Sequence, residues 1–153
     1  MFGLLGDEHV KVSNAHALPI DLIVAAGVQR QPDIRAIATR HGHQVEVMIW
    51  NYHDEDVDVP AAPIDLAVTG LTDSARVALL EHFRVDRHHS NAFTAWKEMG
   101  SPQAPSAQQH DQLQRAAQLQ LLTSPARIPL EHGSAHLQFV LPRQGLSLVR
   151  LTW

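Results

Sequence analysis

RVDRHHSNAFTAWKEMGSPQ, residues 84–103, decides how the rest of the chain is read. A β-like run ends at Phe83, and a polar corner follows with Arg84, Asp86, Arg87, His88 and His89. Ser90 or Asn91 then offers a side-chain oxygen to cap a helix. Ala92, Phe93, Trp96 and Met99 stand at i, i+1, i+4 and i+7, which puts them on one helical face. Gly100 is a natural stop and Pro102 forbids continuation. The stretch therefore reads as a strand that hands over to a short amphipathic helix.

Strands dominate on the N-terminal side of this corner. Val10 and Val12 alternate with polar neighbours as a short strand would. Residues 20–28 are apolar and fit either a buried strand or a helical turn. Residues 34–40 and 44–52 alternate cleanly across His41-Gly42-His43, which predicts a β-hairpin. In its second arm Val45, Val47 and Ile49 share one face, while Glu46, Met48 and Trp50 share the other. Ile64, Leu66 and Val68 mark another half-buried strand, and residues 76–83 one more.

On the C-terminal side, Ser106 and Gln109 have the spacing of a capping box. The helix they open places Leu113, Ala116, Ala117 and Leu121 on one face, and its Gln-rich polar face suits partial burial. Ser124, Pro125 and Pro129 predict an irregular return. Residues 136–141 and 146–153 then read as a closing pair of strands around Pro142-Arg143-Gln144-Gly145, with Trp153 pinning the last one. About seven short strands separated by turns predict a mostly β chain, an antiparallel β-sandwich with two short inserted helices at about residues 90–122. Residues 1–153 form one such domain.

Composition narrows the function. Twelve basic and 16 acidic side chains give a formal net charge of −4, which argues against a nucleic-acid surface. There is no cysteine, so neither disulfides nor thiol chemistry is available. No apolar run approaches the roughly 20 residues of a membrane span, and the N-terminus lacks a signal peptide's basic start. Nucleic acid and membrane are therefore not expected partners, and a cytoplasmic location is expected.

Three blocks carry a resemblance to a known family. HSNAFTAWKEMGSPQ, VMIWNYHDEDV (Val47 to Val57) and LPRQGLSLVRLTW (Leu141 to Trp153) resemble, in order and spacing, the C-terminal region of glycoside hydrolase family 39, the β-xylosidases. The resemblance implies a β-sandwich that stands behind a (β/α)8 barrel. It also implies a parent enzyme that releases terminal xylosyl residues from xylo-oligosaccharides with retention and without a cofactor. Retaining hydrolysis needs two carboxyl groups about 5–5.5 Å apart across the scissile bond. The family's acid/base is the Glu of an Asn-Glu-Pro sequence on a barrel strand. None of the six glutamates, Glu8, Glu46, Glu55, Glu81, Glu98 and Glu131, stands in that sequence, and there is no series of βα units. No catalytic residue is assigned. The expectation is a non-catalytic accessory piece whose partner is the parent's barrel or a second copy. It would meet xylo-oligosaccharide only through that parent.

Other residues allow a plain and a functional reading. Arg84, Asp86, His89 and Asn91 suit a buried polar network that clamps the corner, since Arg84 and Asp86 share a strand face. Trp50, Tyr52 and Trp96 read as core packing, or as the sugar-stacking platform of a carbohydrate-binding module, the alternative function. Asp54, Glu55, Asp56 and Asp58 read as a solvated acidic turn rather than a calcium loop, because the loop's glycine and closing Glu are missing. Eleven histidines are many, but His41-x-His43 and His88-His89 lack a third ligand at useful spacing, so no metal and no cofactor is expected. If this is an isolated support piece, an apolar face that includes Phe2, Leu4 and Leu5 should be exposed and should promote self-association.

Overall fold

The computed structural model describes residues 1–29, 31–55, 59–72 and 74–153. Asp56 and Asp58 of the acidic turn lie outside the described residues. Among the described residues the fold is mostly β, with two antiparallel sheets and no closed barrel. In chain order the strands are β1 (Glu8–Val10), β2 (Asp33–His41), β3 (Gln44–Tyr52), β4 (Ala62–Val68), β5 (Val77–Val85), β6 (Gln120–Leu121), β7 (Ala126–Pro129), β8 (Ala135–Leu141) and β9 (Leu146–Thr152). The helices are α1 (Ile20–Ala26), α2 (Ala92–Glu98) and α3 (Ala107–Ala116).

The larger sheet runs β1-β2-β3-β9-β5-β6, with β7 also on β5. The smaller is β4 on β8. The two chain-distant elements β3 and β9 pair from Gln44↔Thr152 to Trp50↔Leu146, which closes the centre of the large sheet. Inward residues of β3, β9 and β5, including Val47, Ile49, Val149, Leu151 and Ala78, pack with Val68, Ala135 and Leu141 of the small sheet. This alternation in the sequence is what makes a sandwich, since each sheet buries one face. Asn51 adds a polar tie, donating from Nδ2 to the Leu141 carbonyl at 3.0 Å.

The sheet reaches further than the sequence pattern suggests in two places. β5 continues past Phe83 to Val85 and carries Arg84 inside the strand. A charge is tolerated there because its guanidinium finds partners between the sheets. The return after α3 is also not irregular throughout, because residues 126–129 form β7 against β5 from Val77↔Pro129 to Leu80↔Ala126. Proline is compatible with such an edge position, where a missing N–H breaks no inner ladder.

The helices differ from expectation in their exposure. Residues 20–26, open to two readings, form α1, yet Ile20, Leu22 and Val24 are all exposed. Gly27 ends it at φ 69°, and a Cβ there would stand 2.2 Å from Asp54 Oδ2, so only glycine fits. In α2 the expected apolar face is incomplete. Phe93 is 58% exposed, because it stacks on Trp96 at 5.8 Å along the helix instead of entering the core. α3 does open with the capping box of Ser106 and Gln109, but none of its residues is buried. Leu121 belongs to β6 rather than to the α3 face, since the helix stops at Ala116. Trp153 packs against the core and donates from Nε1 to Thr72 Oγ1 at 3.2 Å. Phe2 is 72% exposed, and Leu4 and Leu5 are half-buried.

Candidate functional site

The densest polar cluster joins the end of β5 to the start of α2. Alternation along β5 sends Ala78, Leu80, His82 and Arg84 between the sheets. Arg84 is 2% exposed. Its Nη2 donates to the Val140 carbonyl on β8 at 2.9 Å, its Nε to Ser147 Oγ on β9 at 3.1 Å, and its Nη1 to Asp86 Oδ2 at 3.4 Å. One guanidinium therefore ties β5 to both the neighbouring strand and the opposite sheet, using the forked donor geometry that lysine lacks.

Asp86 passes this tie on to the corner. Its Oδ1 accepts from the backbone N–H of His88 at 2.8 Å and of His89 at 2.9 Å, and pairs with His89 Nδ1 at 2.8 Å. Burial pushes the Asp86 carboxyl up, but the bonds from His89 and from the His88 and His89 backbone outweigh it and hold the group below the usual carboxylate range. Asn91 Nδ2 donates to the Asp86 carbonyl at 2.9 Å. Its Oδ1 accepts from Phe93 and Thr94 N–H at 3.0 and 3.1 Å, so Asn91 is the cap left open between two candidates. Ser90, at φ 54°, bonds instead to the Arg84 carbonyl at 2.7 Å and accepts from Gln120 N–H on β6. Arg84, Asp86, His89 and Asn91 thus stand in one connected set.

Two members were not singled out from the sequence. His82 Nε2 lies 3.0 Å from Ser147 Oγ, and its ring meets Phe139 edge-on at 4.6 Å. Arg84 Nε and His82 Nε2 thus share one Ser147 hydroxyl, which accepts from Arg84 and has a second lone pair and a proton to offer the imidazole. Burial first, and then the Arg84 charge, lower the His82 pKa to about 4. Ser147 is fully buried, so it has no access to a substrate. A lone serine in the inward register of Val149 and Leu151, opposite a strand carrying His82 and Arg84, is the signal that points to them.

The remaining candidates are scattered. Trp50 and Trp96 are half-buried and Tyr52 is exposed. Trp96 spends its indole N–H on the Pro102 carbonyl at 3.0 Å, and its ring contact is with Phe93. Tyr52 faces Asp54, whose hydrogen bond and charge push the phenol up. Asp54 also accepts from Val28 N–H at 2.7 Å, which makes this end of the acidic turn an anchor for the loop after α1. His41 pairs with Asp7, and His43 meets the Trp153 ring edge-on. Among the described residues no three His, Asp or Glu side chains come together as a metal-ligand set. Glu46 is fully buried; it accepts from Thr39 Oγ1 at 3.0 Å, Gly6 N–H at 3.1 Å and Gln44 Nε2, so its lone pairs are used internally.

No family model and no curated protein sequence matches the chain. Solved structures do. A GH39 enzyme from Xanthomonas axonopodis pv. citri matches with a TM-score of 0.64 and 18% identity over 77% of this chain and 26% of its own. A monomeric β-xylosidase from Caulobacter crescentus CB15 matches with a TM-score of 0.61 and 19% identity over 76% of this chain and 26% of its own. A bacterial orthologue of human α-L-iduronidase matches with a TM-score of 0.59 and 20% identity over 79% and 22%. The chain has the fold of one portion of GH39 β-xylosidases and spans about a quarter of the length of these structures.

Proposed function

We propose that this chain is the C-terminal β-sandwich of a family 39 glycoside hydrolase of the β-xylosidase type, a support domain for a catalytic barrel carried on other polypeptide. The observation that carries this reading is the fold match over most of this chain and only a quarter of the xylosidases. The absence of an Asn-Glu-Pro sequence agrees with it, because the proton donor then lies elsewhere. So does the fate of the buried polar groups. Arg84, Asp86, His82, Ser147 and Glu46 are spent on one another, on neighbouring side chains and on backbone, which stabilises a scaffold.

In this reading the parent enzyme hydrolyses terminal xylosyl residues of xylo-oligosaccharides, and the sandwich contributes packing rather than chemistry. The purified chain should release no nitrophenol from nitrophenyl β-xyloside above the buffer rate. Turnover that survives repurification, and that disappears when one of the six glutamates is changed to Gln, would overturn the support role.

A further inference from the structure

The helical part of the chain hangs from the sandwich by one neck. α2 and α3 pack mainly on one another, and neither buries a residue. Little apolar surface fixes them to the sheets, and segments with few buried contacts open first. What holds them is polar and lies at the two ends of residues 86–122. At the entry, Asp86 N–H donates to the His89 carbonyl at 3.1 Å, and Asn91 and Ser90 bond back to the carbonyls of Asp86 and Arg84. At the exit, Gln120 N–H donates to Ser90 Oγ at 2.8 Å and Leu122 N–H to the His82 carbonyl at 2.7 Å. Entry and exit therefore meet at the end of β5.

The same end of β5 holds a buried imidazole beside a buried guanidinium. His82 is 8% exposed. Its Nε2 and Arg84 Nε stand 3.0 and 3.1 Å from a single oxygen, Ser147 Oγ on β9. From β8 His82 meets the Phe139 ring, and its register partner on β9 is Val149. Arg84 is the charge that acts on it. Asp86, the carboxylate of the corner, is already shared among Arg84, His89 and two backbone N–H groups.

A proton on His82 upsets this arrangement. The Ser147 oxygen has two lone pairs and can accept from both nitrogens, but it then lies between two cations in a site of low dielectric. Burial and the Arg84 charge already oppose that proton and hold the His82 pKa at about 4. The repulsion ends when Arg84 leaves for solvent. Arg84 cannot leave without giving up Val140, Ser147 and Asp86, and with them the entry of the helical segment.

We propose that residues 86–122 are an acid-released flap: protonation of His82 drives Arg84 out from between the sheets, and α2 and α3 swing free while β3, β9 and the first part of β5 stay paired. His89 works in the other direction, since a proton there strengthens its bond to Asp86 and tightens the corner. The open form takes up the His82 proton at the unfolded value of 6.5 and the closed form only near 4. Opening is therefore rarest above pH 6.5 and grows by about tenfold for each pH unit below it, levelling off near 4.

Amide exchange of the full chain between pH 6.5 and 4.5, corrected for the intrinsic effect of pH, tests the flap. Residues 92–98 and 107–116 should lose protection by at least about tenfold and should stay less protected than residues 45–49 of β3. His82→Gln cannot take the proton and should hold the helix protection constant across the window. Helix protection that is independent of pH in wild type overturns the flap. A loss that His82→Gln retains in full assigns the proton to another group and also overturns it. Equal protection of the helices and β3 at every pH means that the molecule opens as one unit, against the flap. The wild-type ring signal of His82 gives a check that needs no variant to fold: it should titrate well below 6.5, and a ring that titrates at 6.5 or above gains nothing from opening and overturns the proposal.

Discussion

The corner at the end of β5 and the slot beside β4, a cleft of about 610 Å³ lined by residues 63–69 and floored by Ile34, Ala36, Ala38, Val45, Val47 and Ile49, lie in the same sandwich and are built in opposite ways. At the corner a charged core is closed on itself: Arg84 reaches two strands, Asp86 collects four donors, and Asn91 carries the chain into α2. At the slot an apolar floor and a strand edge face open space. Burial of charge is costly unless every partner is present, so the corner is complete within this chain. Apolar surface costs less to leave open, about 25 cal/mol per Å². What the contrast teaches is that the most elaborate polar cluster of this fold is spent on holding it together.

Removing the centre of the corner should have the largest effect. Asp86→Ala leaves Arg84 buried without its carboxylate and frees three donors of the corner, and breaking a buried pair costs about 3–5 kcal/mol. The midpoint of thermal unfolding should drop by roughly 6–20 °C for a loss of this size in a domain of this length. An unchanged midpoint would mean that the network is decoration. Asp86→Asn, which keeps the acceptor oxygen for the backbone N–H groups, should recover part of the loss.

Acid should weaken the same region next. His82 has a folded pKa of about 4 against 6.5 unfolded, so the unfolded chain binds the extra proton first. Stability from this group is therefore complete above pH 6.5 and is lost as pH falls from 6.5 toward 4, by on the order of 3 kcal/mol. Asp86, whose carboxyl is held low, adds to the loss only at more acid pH, as it falls through its own folded pKa. Denaturant midpoints measured between pH 7 and 4 should fall steadily for wild type. His82→Gln keeps a side-chain hydrogen-bond partner for Ser147 and should flatten the curve across that window; a parallel slope in both would assign the titration elsewhere.

Much of the corner was legible in the sequence because its signals are local. Asn91 caps α2 within three residues, Arg84 at the end of β5 pairs with Asp86 two residues on, and β3 has the boundaries that its alternation predicts. The rest depended on partners far along the chain. Ser147 enters the network only because β9 lies between β3 and β5, and no periodicity announces that order. The exposure of Phe93 and of α1 was hidden for a related reason, since an apolar residue on a helix reads as core whether or not anything covers it. The periodicity was silent on the extent of the small sheet: alternation in β2, β3 and β4 specifies inward faces, but not that, among the described residues, β4 pairs with β8 alone.

A smaller break lies at the far end of the corner. Asn91→Ala removes the α2 cap and the bond to the Asp86 carbonyl, at about 1 kcal/mol for the cap. The loss should be confined to α2: faster amide exchange in residues 92–98 and little change at β5. If β5 exchanges faster to the same degree, the helix and strand unfold as one unit.

The slot should give the smallest stability change and the opposite sign. Ala36 is half-buried on the cleft floor between Ile34 and Ala38. In a packed core the three added carbons cost about 1–3 kcal/mol through strain. In an open cleft the same group covers the apolar walls, at about 0.8 kcal/mol per buried methylene. Ala36→Leu is therefore expected to leave the denaturation midpoint unchanged or to raise it by up to about 1 kcal/mol, whereas Ala78→Leu, at a 1% exposed site on the packed side of the same sandwich, should destabilise. Equal destabilisation by both would mean that the floor beside β4 is as full as the rest, and the contrast between a finished corner and an unfinished edge would not hold.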